Sequence, residues 1–128
     1  MSRIKVISHE ESQGRLREIY DNLVATRGQL AEVHKIQSLR PESIVKHMEL
    51  YLEIMFSRSP LSRSERELMA VVVSTANGCR YCAEHHGAAL QHYWKDHTRL
   101  ELVKEHYSLA GLSEKERLLC EYAESLTR

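Results

Sequence analysis

Two of the three cysteines and two of the eight histidines lie within eight consecutive residues, 79–86. At about 100° per residue, Cys82 and His86 lie about 40° apart around a helix, and Cys79 and His86 about 20° apart. One helix face would therefore carry two thiols and an imidazole. This combination suits thiol chemistry, and three interpretations are open.

The first interpretation is a redox-active dithiol, in which Cys79 and Cys82 close a disulfide across one helical turn. Cys79 directly follows Gly78 and would open the helix, where free N–H groups and the helix dipole stabilise a thiolate. His86 stands one turn beyond Cys82, where an imidazole can accept the proton of that thiol. The spacing thus predicts two cysteines that are activated by different means.

The second interpretation is a zinc site built from Cys79, Cys82 and either His85 or His86. A structural site needs a fourth ligand, and the candidates show no paired spacing: Cys120, His92, His97 and His106. A catalytic site would leave the fourth position to water. The third interpretation is that the cysteines are ordinary core residues and the adjacent histidines lie on a solvated face.

Glu67 lies early in the apolar helix that precedes the cysteines, eleven positions before Gly78. If the two helices fold back on each other at Asn77-Gly78, Glu67 and His86 reach similar heights, because each residue adds about 1.5 Å to a helix. A carboxylate there could orient the imidazole and stabilise its charged form. Alternatively, Glu67 is a solvated acid favoured by the helix dipole.

Composition limits the class of protein. The chain has 128 residues, and 18 Lys and Arg balance 18 Asp and Glu, so neither a nucleic acid nor an anionic membrane surface is indicated as a partner. Its apolar runs are too short to span a membrane, and the N-terminus lacks the apolar region of a signal peptide. We therefore expect a cytoplasmic protein, in which a disulfide is more often catalytic than structural.

The periodicity predicts an all-α, single domain over residues 1–128, with about six helices and short connections. Three Ser-x-x-Glu capping boxes, at Ser8, Ser62 and Ser113, each precede a helical pattern. We expect the helices at about residues 9–26, 41–58, 63–76, 79–94, 98–107 and 114–126, with a short helix around 33–39. The third of the six is apolar on most sides and should be the most buried. Cys120 lies beside Leu118 and Leu119 and is expected in the core.

The four residues Glu67, Cys79, Cys82 and His86 have a joint spacing that resembles the alkylhydroperoxidase AhpD-like family, which shares its fold with carboxymuconolactone decarboxylases. The eight residues 79–86 resemble its peroxidase-related branch. The specific match covers about residues 61–94. One departure concerns Tyr81, which stands where AhpD itself has a histidine, and another is that branch members usually continue for a further helical hairpin beyond the position of Arg128.

The resemblance implies an all-α, oligomeric peroxidase with no bound cofactor or metal. Cys82 would attack the hydroperoxide and become a sulfenic acid, and Cys79 would resolve it as a disulfide. His86 would take the Cys82 proton, with Glu67 completing the relay. An external dithiol, lipoyl- or thioredoxin-like, would then reduce the disulfide. The alternatives are a zinc-binding or redox-sensing interaction protein and a lactone decarboxylase-like enzyme, although lactone chemistry does not need a dithiol.

Overall fold

A computed structural model describes residues 2–128, which form seven α-helices, one 3₁₀ turn and no strand. The helices are α1 (Gly14–Arg27), α2 (Glu32–Lys35), α3 (Pro41–Phe56), α4 (Arg63–Ala76), α5 (Arg80–Trp94), α6 (His97–His106) and α7 (Glu114–Thr127), and the 3₁₀ turn is Tyr107–Leu109. The predicted all-α class is confirmed. None of the helices in this described range has the length and apolar character needed to cross a membrane.

The chain divides into two compact units, one ending at Phe56 and the other spanning Ser57–Arg128. In the first unit, α1 and α3 bury a shared apolar cluster formed by Leu16, Ile19, Tyr20, Leu23, Ile44 and Met48. The Tyr20 hydroxyl donates to the Ile7 carbonyl at 3.1 Å, and the Ile7 N–H donates to Ser38 Oγ at 2.9 Å. The segment before α1 is thereby tied to this unit.

The second unit holds all the candidate site residues, and α4 lies at its centre because it contacts α5, α6 and α7. Its core combines residues from all four helices and the turn before α7: Leu68, Val71, Val72, Leu90, Leu100, Val103, Ala110, Cys120 and Ala123. The expectation that this apolar helix is the most buried is confirmed within the unit. Cys120 is fully buried, as expected.

The first helix starts later than the capping-box pattern predicts. Ser8 and Glu11 do form the reciprocal pair, with hydrogen bonds of 3.2 and 3.3 Å, but these bonds close an isolated turn. Gly14 follows with a φ of 53°, a left-handed conformation that takes the chain off a continuous helical path. The prediction of a helix from residue 9 is therefore wrong, and α1 begins at Gly14.

The apolar stripes of α3 and α7 are only partly buried. The helical period of α3 predicts Leu52 on the same core face as Ile44 and Met48, but Leu52 is 42% exposed. On α7, Cys120 and Ala123 are buried, whereas the stripe formed by Leu118, Tyr122 and Leu126 is exposed. Periodicity identifies apolar positions, but it does not decide which of them finds a neighbouring helix.

Candidate active site

The start of α4 is fixed by a complete capping box. Ser62 Oγ accepts a hydrogen bond from the Glu65 N–H at 3.2 Å, and the Glu65 carboxylate accepts one from the Ser62 N–H at 2.7 Å. These bonds satisfy two of the N–H groups that a helix start leaves without partners. Because the first turn is defined in this way, Arg63 and Glu67 lie one turn apart on the same face of α4.

A tight connection separates α4 from α5. Gly78 adopts a φ of 65°, which a residue with a side chain rarely takes. The Cys79 N–H then donates to the Ser74 carbonyl at 2.9 Å, which ties the start of α5 to the last turn of α4. The sequence prediction of a helix break at Asn77-Gly78 is confirmed, with α4 ending at Ala76 and α5 beginning at Arg80.

Cys79, the predicted first helical position, is instead the N-cap of α5, one residue before its first helical residue Arg80. Its sulfur accepts a hydrogen bond from the Cys82 N–H at 3.3 Å, and the two sulfurs are joined in a disulfide with the Cα atoms 5.3 Å apart. Both cysteines are half-buried, so the pair is partly open to solvent at this helix end. An N-cap sulfur lies where backbone N–H groups stabilise a thiolate.

Glu67 is the buried member of the site, with 1% of its surface exposed. Its Oε2 lies 2.8 Å from His86 Nδ1, and its Oε1 accepts a hydrogen bond from Arg63 Nη2 at 2.6 Å. The structure thus brings Glu67 and His86 together across the α4–α5 pair, as a fold-back at Gly78 requires. Glu67 is therefore not the solvated first-turn acid of the alternative interpretation.

The charge state of Glu67 follows from these contacts. Burial raises the pKa of this carboxyl, but the hydrogen bond and charge of His86, followed by those of Arg63, outweigh burial and hold the pKa below its ordinary value of 4.5. An ionised Glu67 can only accept hydrogen bonds, so His86 Nδ1 must carry the hydrogen that lies between them. The nitrogen that can exchange a proton with a cysteine is then Nε2.

Tyr81 and His85 lie on the exposed side of α5. Their rings stack with centroids 6.3 Å apart, and Tyr81 is 52% exposed. The ring of His85 meets the His86 ring edge-on at 5.5 Å. Tyr81, at the sequence position where AhpD itself has a histidine, therefore faces outward.

The remaining candidates are structural. Trp94 packs against the core of the second unit and stacks with the Arg99 guanidinium at 3.8 Å. Burial, and then three nearby carboxylates, raise the pKa of Cys120 to about 12, which makes it a poor nucleophile or ligand at neutral pH. Over residues 2–128, no group of three or more His, Cys, Asp or Glu side chains is arranged to hold a metal ion.

Sequence reasoning missed Arg63, which binds Glu67 directly. The signal was present, since Arg63 precedes Glu67 by four residues, the spacing of a helical ion pair. Such pairs are usually exposed and weak. Only the burial of Glu67 shows that the Arg63–Glu67 pair is not an exposed surface pair.

The all-α fold, the CxxC pair at a helix start and the histidine–glutamate pair behind it match what the resemblance to the AhpD-like family implies. The model of the carboxymuconolactone decarboxylase family matches residues 43–125. The chain therefore belongs to the carboxymuconolactone decarboxylase family. No curated protein matches the chain.

Two solved structures resemble the chain. One is the alkylhydroperoxidase AhpD core, an uncharacterized peroxidase-related protein from Ralstonia eutropha JMP134, with a TM-score of 0.83 and 24% identity over 98% of this chain and 66% of that chain. The other is an uncharacterized peroxidase-related protein from Silicibacter sp. TM1040, with a TM-score of 0.81 and 28% identity over 100% of this chain and 70% of that chain. The predicted AhpD-like fold is confirmed, and the chain spans about two thirds of the length of the Ralstonia protein, 66%.

Proposed function

We propose that the protein is a thiol-dependent peroxidase that reduces hydroperoxides through a dithiol–disulfide cycle of Cys79 and Cys82. The observation that carries this proposal is the Cys79–Cys82 disulfide at the start of α5, on the helix whose His86 is held by a buried carboxylate. A disulfide is the oxidised product of such a cycle. The two peroxidase-related proteins of similar fold support the same class of reaction.

In the first step, His86 Nε2 accepts the Cys82 proton, and the Cys82 thiolate attacks one peroxide oxygen. The O–O bond breaks, Cys82 becomes a sulfenic acid, and the alkoxide leaves as an alcohol with the proton returned from His86. Glu67 holds the imidazole in one orientation and stabilises the imidazolium formed during this transfer. The sulfur is oxidised by two electrons, and the peroxide is reduced by two.

In the second step, the Cys79 thiolate attacks the Cys82 sulfur, the S–O bond breaks, and water leaves after protonation. The N-cap position of Cys79 favours its thiolate, since the Cys82 N–H donates to that sulfur. An external dithiol of lipoyl or thioredoxin type then exchanges with the disulfide and is itself oxidised. The net reaction converts a hydroperoxide and a dithiol into an alcohol, water and a disulfide.

The protein needs no bound cofactor in this scheme, because the external dithiol supplies both electrons. We also propose that the protein is cytoplasmic, where such dithiols are kept reduced, and that it forms a homo-oligomer. The exposed stripe of Leu118, Tyr122 and Leu126 on α7 is compatible with packing between subunits.

The test is a thiol count on reduced protein before and after one equivalent of an organic hydroperoxide, followed by peptide mass mapping. We expect two thiols to be lost and a Cys79–Cys82 crosslink to form. The Cys79→Ser variant should stop at a Cys82 sulfenic acid that dimedone traps, and Cys82→Ser should not react. Cys120→Ser is the matched control and should behave like the unmodified protein.

Three unchanged thiols in folded protein would refute the peroxidase proposal. Metal analysis of the same sample would then distinguish the zinc-binding alternative from a structural role of the cysteines. A lactone decarboxylase-like enzyme would act on its lactone equally well after both cysteines are replaced by serine, because that reaction does not use the dithiol.

A further inference from the structure

The buried carboxylate of Glu67 has a partner on each oxygen. Arg63 Nη2 donates to Oε1 at 2.6 Å and His86 Nδ1 lies 2.8 Å from Oε2. The side chains of Arg63 and His86 are only 19% and 21% exposed. The three side chains form one continuous hydrogen-bonded network. Water screens the guanidinium charge less here than it would in an exposed ion pair.

The position of Arg63 is unusual for a cation. It is the first residue of α4, where the helix dipole favours acids and disfavours positive charge. Its contact with Glu67 offsets this unfavourable position. The contact also makes the Arg63 charge part of the electrostatic environment of His86.

Lysines on the neighbouring helices form ion pairs with other carboxylates, not with Glu67. Lys115 of α7 pairs with Glu65 at 2.8 Å, and Lys104 of α6 pairs with Glu101 at 2.9 Å and reaches Glu84 of α5 at 3.4 Å. On α5, the His85 ring lies against His86 at 5.5 Å. Arg63 is therefore the permanently charged partner of the Glu67 carboxylate, beside the titratable His86.

We propose that Arg63 is a positioning residue for the peroxidase reaction, holding Glu67 as an ionised acceptor so that His86 presents Nε2 to Cys82. This inference rests on the proposed function. The guanidinium fixes one oxygen of the carboxylate, which leaves the other aligned with His86 Nδ1. It also places a positive charge in direct contact with the carboxylate that holds His86.

Removing that charge has a directional consequence. A nearby cation lowers the proton affinity of the groups around it. Replacing Arg63 by a neutral side chain should therefore raise the proton affinity of those groups. The pH at which Cys82 is half-alkylated should therefore rise in Arg63→Met by about one pH unit, the order of magnitude of a charge–charge interaction in a partly buried site. Arg63→Lys keeps the charge and should restore the original pH dependence.

The experiment follows iodoacetamide alkylation of each cysteine in the reduced protein, by peptide mass mapping, between about pH 5 and pH 9. Arg66→Met is the matched control, because Arg66 lies on the same helix and donates to the Ser57 and Leu61 carbonyls. We expect a shift in Arg63→Met and none in Arg63→Lys or Arg66→Met. An unshifted profile in Arg63→Met, or an equal shift in both Met variants, would overturn the proposal.

A second measurement does not depend on the variants folding. Nitrogen NMR of the reduced, unmodified protein reports the tautomer of His86, and the proposal requires the hydrogen on Nδ1. A hydrogen on Nε2 alone would overturn the proposal. Neither measurement uses peroxide, so loss of the proposed peroxidase function and loss of the Arg63 role give different results.

Discussion

Replacing Glu67 by Gln tests whether the buried carboxylate stabilises the fold as an ion. The substitution keeps the shape of the side chain and one carbonyl oxygen for Arg63, but it removes the charge and places an N–H₂ group or a neutral oxygen opposite His86. Hydrogen bonds to charged groups are worth about 1.5–3 kcal/mol each, and two of them are weakened. Glu67 is 1% exposed, so solvent does little to compensate.

We therefore expect Glu67→Gln to lower the free energy of unfolding by about 3 kcal/mol at pH 7, near the lower end of the cost of breaking a buried ion pair. The pKa of Glu67 in the native state lies below the ordinary value of 4.5. The stabilisation is thus complete above that ordinary value and is lost as the pH falls below it through the native pKa. The difference in stability between the variant and the unmodified protein should therefore be smaller under acid conditions than at pH 7.

Urea unfolding followed by circular dichroism at pH 7 and at about pH 3 measures both free energies. Glu49→Gln is the control, because Glu49 pairs with Lys46 on an exposed surface of α3 and should change stability very little. A difference between the unmodified protein and Glu67→Gln that is the same at both pH values would refute the ionic role of Glu67. A difference below about 1 kcal/mol at pH 7 would refute the estimate for the buried pair.

Two further predictions concern groups with strongly raised pKa values. Cys120, with a pKa of about 12, should remain unalkylated in folded, reduced protein at pH 8 while Cys79 and Cys82 react, and alkylation of Cys120 at their rate would contradict its burial. The hydrogen bond from the Tyr107 hydroxyl to Glu124 raises the pKa of that phenol to about 12, so ultraviolet titration should show Tyr107 ionising late, and Glu124→Gln should make it ionise earlier.

The sequence by itself determined the helical class and most helix limits, and it predicted Cys79, Cys82, His86 and Glu67 as candidate site residues but not Arg63. Ser62 and Ser113 form complete capping boxes, and Gly78 interrupts the helical path between α4 and α5 as predicted. These features depend on hydrogen bonds within a few residues, so the local sequence is sufficient to specify them. The spacing of the Cys79–Cys82 pair and His86 on one helix is fixed in the same local way.

The tertiary structure decided what those local elements contact. The Ser8 box has the same pattern as the other two, yet it caps only a turn, because Gly14 takes the chain onto a different path. The stripe of α7 that includes Leu118 stays exposed, although its residues are as apolar as those of the core. In the sequence, Arg63 and Glu67 look like an ordinary surface ion pair. Only the packing of α4 in the folded protein shows that Glu67 is buried. Burial depends on neighbours distant in sequence, and burial is what turns an i, i+4 pair and a histidine into one electrostatic unit.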